Sequence, residues 1–162
     1  MKNIKNPLIF LIEDSVVYKD LIEGHLHAKN YLNTKTYKHA DECLKDLSLK
    51  PDLIILDYSI DGMSGLELMR KVRKTDPKIE FIFLSGQNNV EVAVKIMKLG
   101  AADYVVKNDK APERLVKAIA QTMAISKSRR LRKGFTIGVF GFFILLLVVI
   151  GIVILVTMVF GL

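Results

Sequence analysis

Leu53-Ile54-Ile55-Leu56-Asp57 is five residues in which four consecutive branched aliphatics run straight into a carboxylate. An uninterrupted apolar run of this length suits a strand buried on both faces of a sheet, a position that side helices must cover. Leu8 to Ile12 has the same character and closes on Glu13-Asp14, and Ile79 to Leu84 closes on Ser85. Tyr104-Val105-Val106 closes on Lys107, while Tyr31 to Tyr37 reads as a poorer edge strand.

Helical patterns fill the gaps. Asp14 to Ala28 carries Val17, Leu21, Ile22 and Leu26 as a predicted buried stripe, and Asp41 to Leu49 follows the edge strand. Leu66, Leu68, Met69 and Val72 mark a third helix. Val90 to Leu99 is a fourth, stopped by Gly100, and Pro112 opens a fifth at a position where its missing N–H costs little. Strands alternating with helices require crossovers, so the expected fold class is α/β: a five-stranded, parallel, doubly wound sheet of the flavodoxin-like type.

The 162-residue chain divides by composition into 1–126 as the globular domain, 127–134 as a basic segment and 135–162 as an apolar tail. Five of the positive charges behind the formal +7 lie at Lys127, Arg129, Arg130, Arg132 and Lys133; the rest of the chain holds 19 basic and 17 acidic residues. The basicity is therefore local and does not point to nucleic acid. Phe135 to Leu162 contains no charge, and 21 of its 28 residues are Leu, Ile, Val or Phe. Such a stretch predicts a transmembrane helix, since ~20 residues cross about 30 Å of hydrocarbon. The basic run before it and the lack of a signal-peptide pattern place the globular domain in the cytoplasm, anchored to the cytoplasmic membrane by a single pass, with the C-terminus on the far side. Gly134 and Gly138 give a GxxxG spacing that fits a homodimer contact. The lone Cys43 excludes an internal disulfide and suits a reducing compartment.

In an open parallel sheet, functional groups collect beyond the carboxyl ends of the strands. Those ends supply Glu13, Asp14, Asp57, Ser85 and Lys107. Any one of them has an ordinary explanation, as a helix cap or a solvated charge; together they are a specific set. Clustered carboxylates stay ionised at neutral pH only beside a cation, and Mg²⁺ favours such oxygen ligands. One carboxylate can attack phosphorus while cation, ammonium and hydroxyl stabilise the equatorial oxygens.

Five motifs, in order, carry a family resemblance: Glu13-Asp14, Leu53 to Asp57, Gly62-Met63-Ser64-Gly65, Leu84-Ser85-Gly86, and Gly100 to Lys107. Over roughly residues 7 to 126 the sequence resembles the receiver domain of bacterial two-component response regulators. The resemblance implies that Asp57 is the phosphoacceptor for a histidine kinase or phosphotransfer protein. It implies that Asp14 and Asp57, with Glu13 through water and the backbone carbonyl of Ser59, hold Mg²⁺, and that Ser85 and Lys107 contact the phosphoryl group. Tyr104 would turn inward as a switch when Ser85 moves, and Ser59 and Gln87 would govern how fast water reaches the acyl phosphate.

Two residues depart from the family pattern: Asp61 and Asn108 stand where prolines are usual. A cis bond at Lys107–Asn108 would cost about 2.5–4 kcal/mol, so either that strain or a rearranged loop is expected there. With a short connection to the apolar tail, the signal is expected to leave by contact with a membrane-proximal effector protein, at the face around the fourth helix, fifth strand and fifth helix. Self-catalysed phosphotransfer and dephosphorylation would be the only chemistry. A scaffold that recruits partners to the membrane without being phosphorylated is the competing reading.

Other site types fit worse. Asp57 to Gly62 opens like an EF-hand loop, but its twelfth position is Leu68 and a strand leads into it. A phosphatase using an aspartate nucleophile of the haloacid dehalogenase type needs a second acid two residues on, where this chain has Ser59. His25, His27 and His39 read as helix-surface residues.

Overall fold

The computed structural model describes residues 6–60 and 62–160, with the side chains of 130–140, 156, 157, 159 and 160 outside the description. Five strands, β1 (Ile9–Ile12), β2 (Thr34–Tyr37), β3 (Leu53–Asp57), β4 (Glu80–Ser85) and β5 (Asp103–Val106), form one sheet in the order β2-β1-β3-β4-β5. Every pairing is parallel. Helices α1 (Val16–Ala28), α2 (Ala40–Lys45), α3 (Gly65–Thr75) and α4 (Val90–Lys98) make the crossovers, as the sequence pattern requires, and α5 (Ala111–Phe160) follows β5.

The alternating side chains of the central strands feed two cores. Phe10, Ile12, Ile54, Leu56, Phe81 and Phe83 pack with Leu68, Val72 and Ile96 on one face. Ile9, Leu11, Ile55 and Leu84 pack with Ile22, Leu26, Leu115 and Ile119 on the other. Both faces are apolar because helices cover both, which is why β1 and β3 read as continuous runs rather than alternating ones. Strand β2 is the poorer edge strand expected, with only Tyr37 buried.

Local chemistry fixes the helix ends. Ser64 caps α3, accepting from the Glu67 N–H at 3.2 Å, and Asn89 caps α4 through the Glu91 and Val92 N–H groups. Gly100 ends the α4 turn with φ +95°, and the Arg73 guanidinium donates to the carbonyls of Leu99 and Gly100. Helix α2 is shorter than the pattern suggested: it stops at Lys45 and gives way to a single 3₁₀ turn, Leu47–Leu49, that ends on Lys50 at φ +55°.

The buried stripe of α1 is corrected. Val17 and Leu21 are exposed, at 82% and 52%, and the helix seats Ile22 and Leu26 with Tyr18 packed partly against the same core. The inward stripe is 18, 22 and 26, so a tyrosine occupies the place that an aliphatic residue was expected to take.

The chain separates into two compact units, Met1–Ala124 and Ile125–Leu162. Helix α5 continues through Gly134. The transmembrane helix predicted for 135–162 is corrected: among the described residues, no helix is long and apolar enough to cross a membrane. The single-pass localisation and the far-side C-terminus fall with it. The proposed Gly134/Gly138 contact, the side chains of Arg130, Arg132 and Lys133, and the proline replacement at Asp61 lie outside the described residues.

Candidate functional site: an acidic pocket at the carboxyl edge of the sheet

Strand order reverses at β1, which has β2 on one side and β3 on the other, so the loops leaving β1 and β3 diverge and open a crevice. Glu13 and Asp14 follow β1 into it, and Asp57 ends β3. Glu13 is 1% exposed and Asp57 6%. A carboxylate oxygen from each of Glu13, Asp14 and Asp57 lies within 4.8 Å of the other two. Gly65, at the start of α3, permits the close packing beside Asp57: a Cβ there would sit 2.7 Å from Leu56 Cδ1 and 3.2 Å from the Asp57 carbonyl oxygen.

Lys107 arrives from the end of β5. Its backbone N–H donates to the Ser85 carbonyl at 2.7 Å, which extends the β4–β5 ladder and aims the side chain across the pocket. The ammonium donates to Asp57 Oδ2 at 2.6 Å and to Glu13 Oε1 at 2.9 Å. Glu13 Oε2 lies 2.7 Å from the same nitrogen without hydrogen-bond geometry, so charge attraction holds it there. Among the described residues no peptide bond is cis, so Lys107–Asn108 is trans and the lysine still reaches its partners. Asn108 builds the loop into α5, its side chain accepting from the Lys110 N–H at 3.0 Å and its carbonyl from the Ala111 N–H at 2.9 Å.

Burial pushes the Glu13 carboxyl above the usual range, and the Asp57 charge adds to this, against the lowering effect of the Lys107 hydrogen bond and charge. Burial works against the Lys107 ammonium, yet its hydrogen bonds and charge attraction to Asp57 and Glu13 outweigh it and the pKa is raised. The two directions agree physically: there are more carboxylates than cations in this pocket, so a proton is welcome on either partner.

Ser85 is fully buried at the end of β4, with its Oγ accepting from the Gln87 N–H at 3.1 Å. Tyr104 is 8% exposed and its hydroxyl donates to the Gln87 carbonyl at 2.7 Å. Gln87 thus links the hydroxyl of Ser85 to the ring of Tyr104. Ser59 is exposed, and its N–H donates to Asp57 Oδ1 at 3.0 Å, holding the acid's second oxygen.

One residue escaped sequence reasoning. The centroid of the Tyr18 ring lies 4.5 Å from the Lys107 ammonium. A signal for it existed: the 18, 22, 26 spacing, masked by ranking aliphatic Val17 above an aromatic with a polar tip.

A doubly wound α/β domain with three carboxylates, an ammonium and a buried hydroxyl at its carboxyl edge defines a class of protein suited to phosphoryl chemistry. Residues 9–120 match the response regulator receiver domain, and the chain belongs to that family. The nitrogen assimilation regulatory protein NtrX of Azorhizobium caulinodans is 30% identical over 125 residues, covering 75% of this chain and 27% of that protein. The nitrate/nitrite response regulator NarL of Escherichia coli K12 is 42% identical over 77 residues, covering 48% of this chain and 35% of NarL. The crystal structure of the NtrX receiver domain from Brucella abortus superposes with a TM-score of 0.66 at 29% identity, covering 72% of this chain and 98% of that one. The chain spans about a quarter of the length of the NtrX relatives.

Receiver domains are phosphoacceptor signalling proteins that take a phosphoryl group on an aspartate and bind Mg²⁺ at an acidic pocket. The residues present fit that ion: the donors are hard carboxylate oxygens within 4.8 Å of one another, and Asp14 is partly open to solvent.

Proposed function

We propose that Asp57 is the phosphoacceptor of this chain, that a histidine kinase or phosphotransfer protein supplies the phosphoryl group, and that the phosphorylated domain signals through a protein contact. The reading rests on the Lys107 ammonium held 2.6 Å from Asp57 Oδ2 inside a cluster of carboxylates. Asp57 Oδ2 attacks the phosphorus as the phosphorus–nitrogen bond of the donor imidazole breaks, and the product is an acyl phosphate. Lys107 moves from neutralising two carboxylates to neutralising a phosphoryl oxygen, a charge it already faces in the resting pocket. Asp14, Asp57 and the Ser59 backbone carbonyl, with Glu13 through water, would hold Mg²⁺, which would supply further neutralisation of the transferring group when bound.

The route outward runs through Gln87. If the phosphoryl group draws the Ser85 hydroxyl towards Asp57, the Gln87 N–H loses its acceptor, and the same residue's carbonyl holds Tyr104. Tyr104 lines a groove with Val90, Val94, Met97 and Arg114 on α4, β5 and α5. Val90, Val94 and Met97 are exposed there, so this face suits an effector protein with apolar anchors. Ser59, whose N–H donates to Asp57 Oδ1, and Gln87, bonded to Ser85, would set the lifetime of the acyl phosphate.

Incubation with a labelled small phosphodonor and Mg²⁺ tests the assignment. The wild type should take up label and Asp57→Asn should take up none; equal labelling of the two would remove Asp57 from the role.

A further inference from the structure

Three groups surround the Lys107 ammonium. Asp57 Oδ2 accepts a hydrogen bond at 2.6 Å, the Glu13 carboxylate accepts another at Oε1, 2.9 Å away, with Oε2 ion-paired at 2.7 Å, and Nζ lies over the ring of Tyr18, 4.5 Å from the centroid. The ring is seated from outside the pocket. Tyr18 lies in the first turn of α1, where its N–H reaches the capping Ser15 hydroxyl at 3.4 Å, and its ring packs against the core that holds Ile22 and Leu26. Ser15 in turn donates its backbone N–H to Glu13 Oε1 at 3.3 Å. The start of α1 therefore fixes both a carboxylate partner of the ammonium and the aromatic face above it. The hydroxyl of Tyr18 is buried without a hydrogen-bond partner, so hydrogen bonding does not account for the placement of this side chain.

We propose that Tyr18 is a positioning residue for phosphoryl transfer, acting through the π-face of its ring. An ammonium has three donors. If all three were spent on carboxylates, moving to a phosphoryl oxygen would require breaking a hydrogen bond with nothing held in reserve. A ring face attracts the cation without fixing the direction of a donor, so it keeps Nζ centred over Asp57 while its hydrogen-bond partners change. The partial burial of the pocket strengthens this contact, because water competes less for the ammonium. The proposal rests on the reading of Asp57 as phosphoacceptor and Lys107 as its cation.

The test uses the full chain with three replacements: Tyr18→Phe, Tyr18→Leu, and pentafluorophenylalanine placed at position 18, which keeps the ring's shape but reverses the charge of its face. Phosphorylation by acetyl phosphate with saturating Mg²⁺ should proceed within about twofold of wild type for Tyr18→Phe. It should slow on the order of fivefold for Tyr18→Leu and for the fluorinated ring, the rate equivalent of about 1 kcal/mol of cation–π attraction. In parallel, the Lys107 side-chain methylene signal in lysine-labelled protein without Mg²⁺, identified by its loss in Lys107→Arg, should be shifted upfield in wild type and Tyr18→Phe and return to the exposed-lysine position in Tyr18→Leu. Wild-type rates in the fluorinated variant would overturn the proposal, since a merely space-filling ring would survive fluorination. So would a Tyr18→Phe rate as low as that of Tyr18→Leu, which would give the role to the hydroxyl. Absence of labelling in the wild type itself would defeat the phosphoacceptor reading while leaving the upfield lysine signal in place, so the two failures are distinguishable.

Discussion

Replacing Lys107 with Met should destabilise the domain by an amount that depends steeply on pH. The lysine side chain is 17% exposed, and its partners Glu13 and Asp57 are 0% and 8% exposed, so the change strands negative charge away from water. Breaking a buried pair in this way typically costs about 3–5 kcal/mol. Here the cost has a ceiling, because Glu13 can take a proton instead of remaining charged. Protonating a carboxyl whose ordinary pKa is 4.5 costs roughly 3.4 kcal/mol at pH 7 and only about 0.7 kcal/mol at pH 5. Burial already raises the Glu13 pKa in the folded state, and losing the ammonium raises it further. A carboxyl whose folded pKa lies above its unfolded value favours the fold when protonated, so stability falls as pH rises from about 4.5 through the folded pKa. Urea unfolding of wild type and Lys107→Met at pH 5 and pH 7, without Mg²⁺, measures both ends of this window. The expected gap is about 3 kcal/mol at pH 7, shrinking to below about 1 kcal/mol at pH 5. An equal gap at both pH values would show that the loss is packing of the lysine stem and not stranded charge.

Mg²⁺ should raise the unfolding midpoint of the wild type, with about 1.4 kcal/mol of stabilisation at ten times its dissociation constant, and Asp14→Asn should lose most of that increment; a thermal melt with and without the ion checks this. Gly65→Ala should destabilise by about 1–3 kcal/mol, because its Cβ would lie 2.7 Å from Leu56 Cδ1 and 3.0 Å from Phe83 Cε1. Denaturant unfolding of that variant within about 0.5 kcal/mol of wild type would mean the α3 start can shift at little cost.

The sheet was legible because both faces are covered: Leu53 to Leu56 and Leu8 to Ile12 are short apolar runs of the kind a strand buried between helix layers requires. The pocket followed from the same reading, since Glu13, Asp14, Asp57, Ser85 and Lys107 are the residues at which those runs stop. The face of α1 was misread because hydropathy ranks Val17 above Tyr18, whereas the tyrosine has both an apolar ring for the core and a π-face for Lys107. The C-terminal segment illustrates a different limit. Its composition stated a lipid preference, yet among the described residues no helix meets the length and apolarity needed to cross a membrane. Asn108 was flagged as a source of strain, and the trans peptide removes that concern: the asparagine side chain caps the turn into α5, a local hydrogen bond that spacing alone does not reveal.

The central claim is that the acid ending β3 carries the phosphoryl group. Borohydride reduction of the phosphorylated protein converts an aspartyl phosphate to homoserine, and peptide mass mapping then locates it. The account predicts homoserine at position 57 and at no other carboxylate; reduction at Asp14 or Glu13, or an acid-stable phosphate on Ser85, would contradict it.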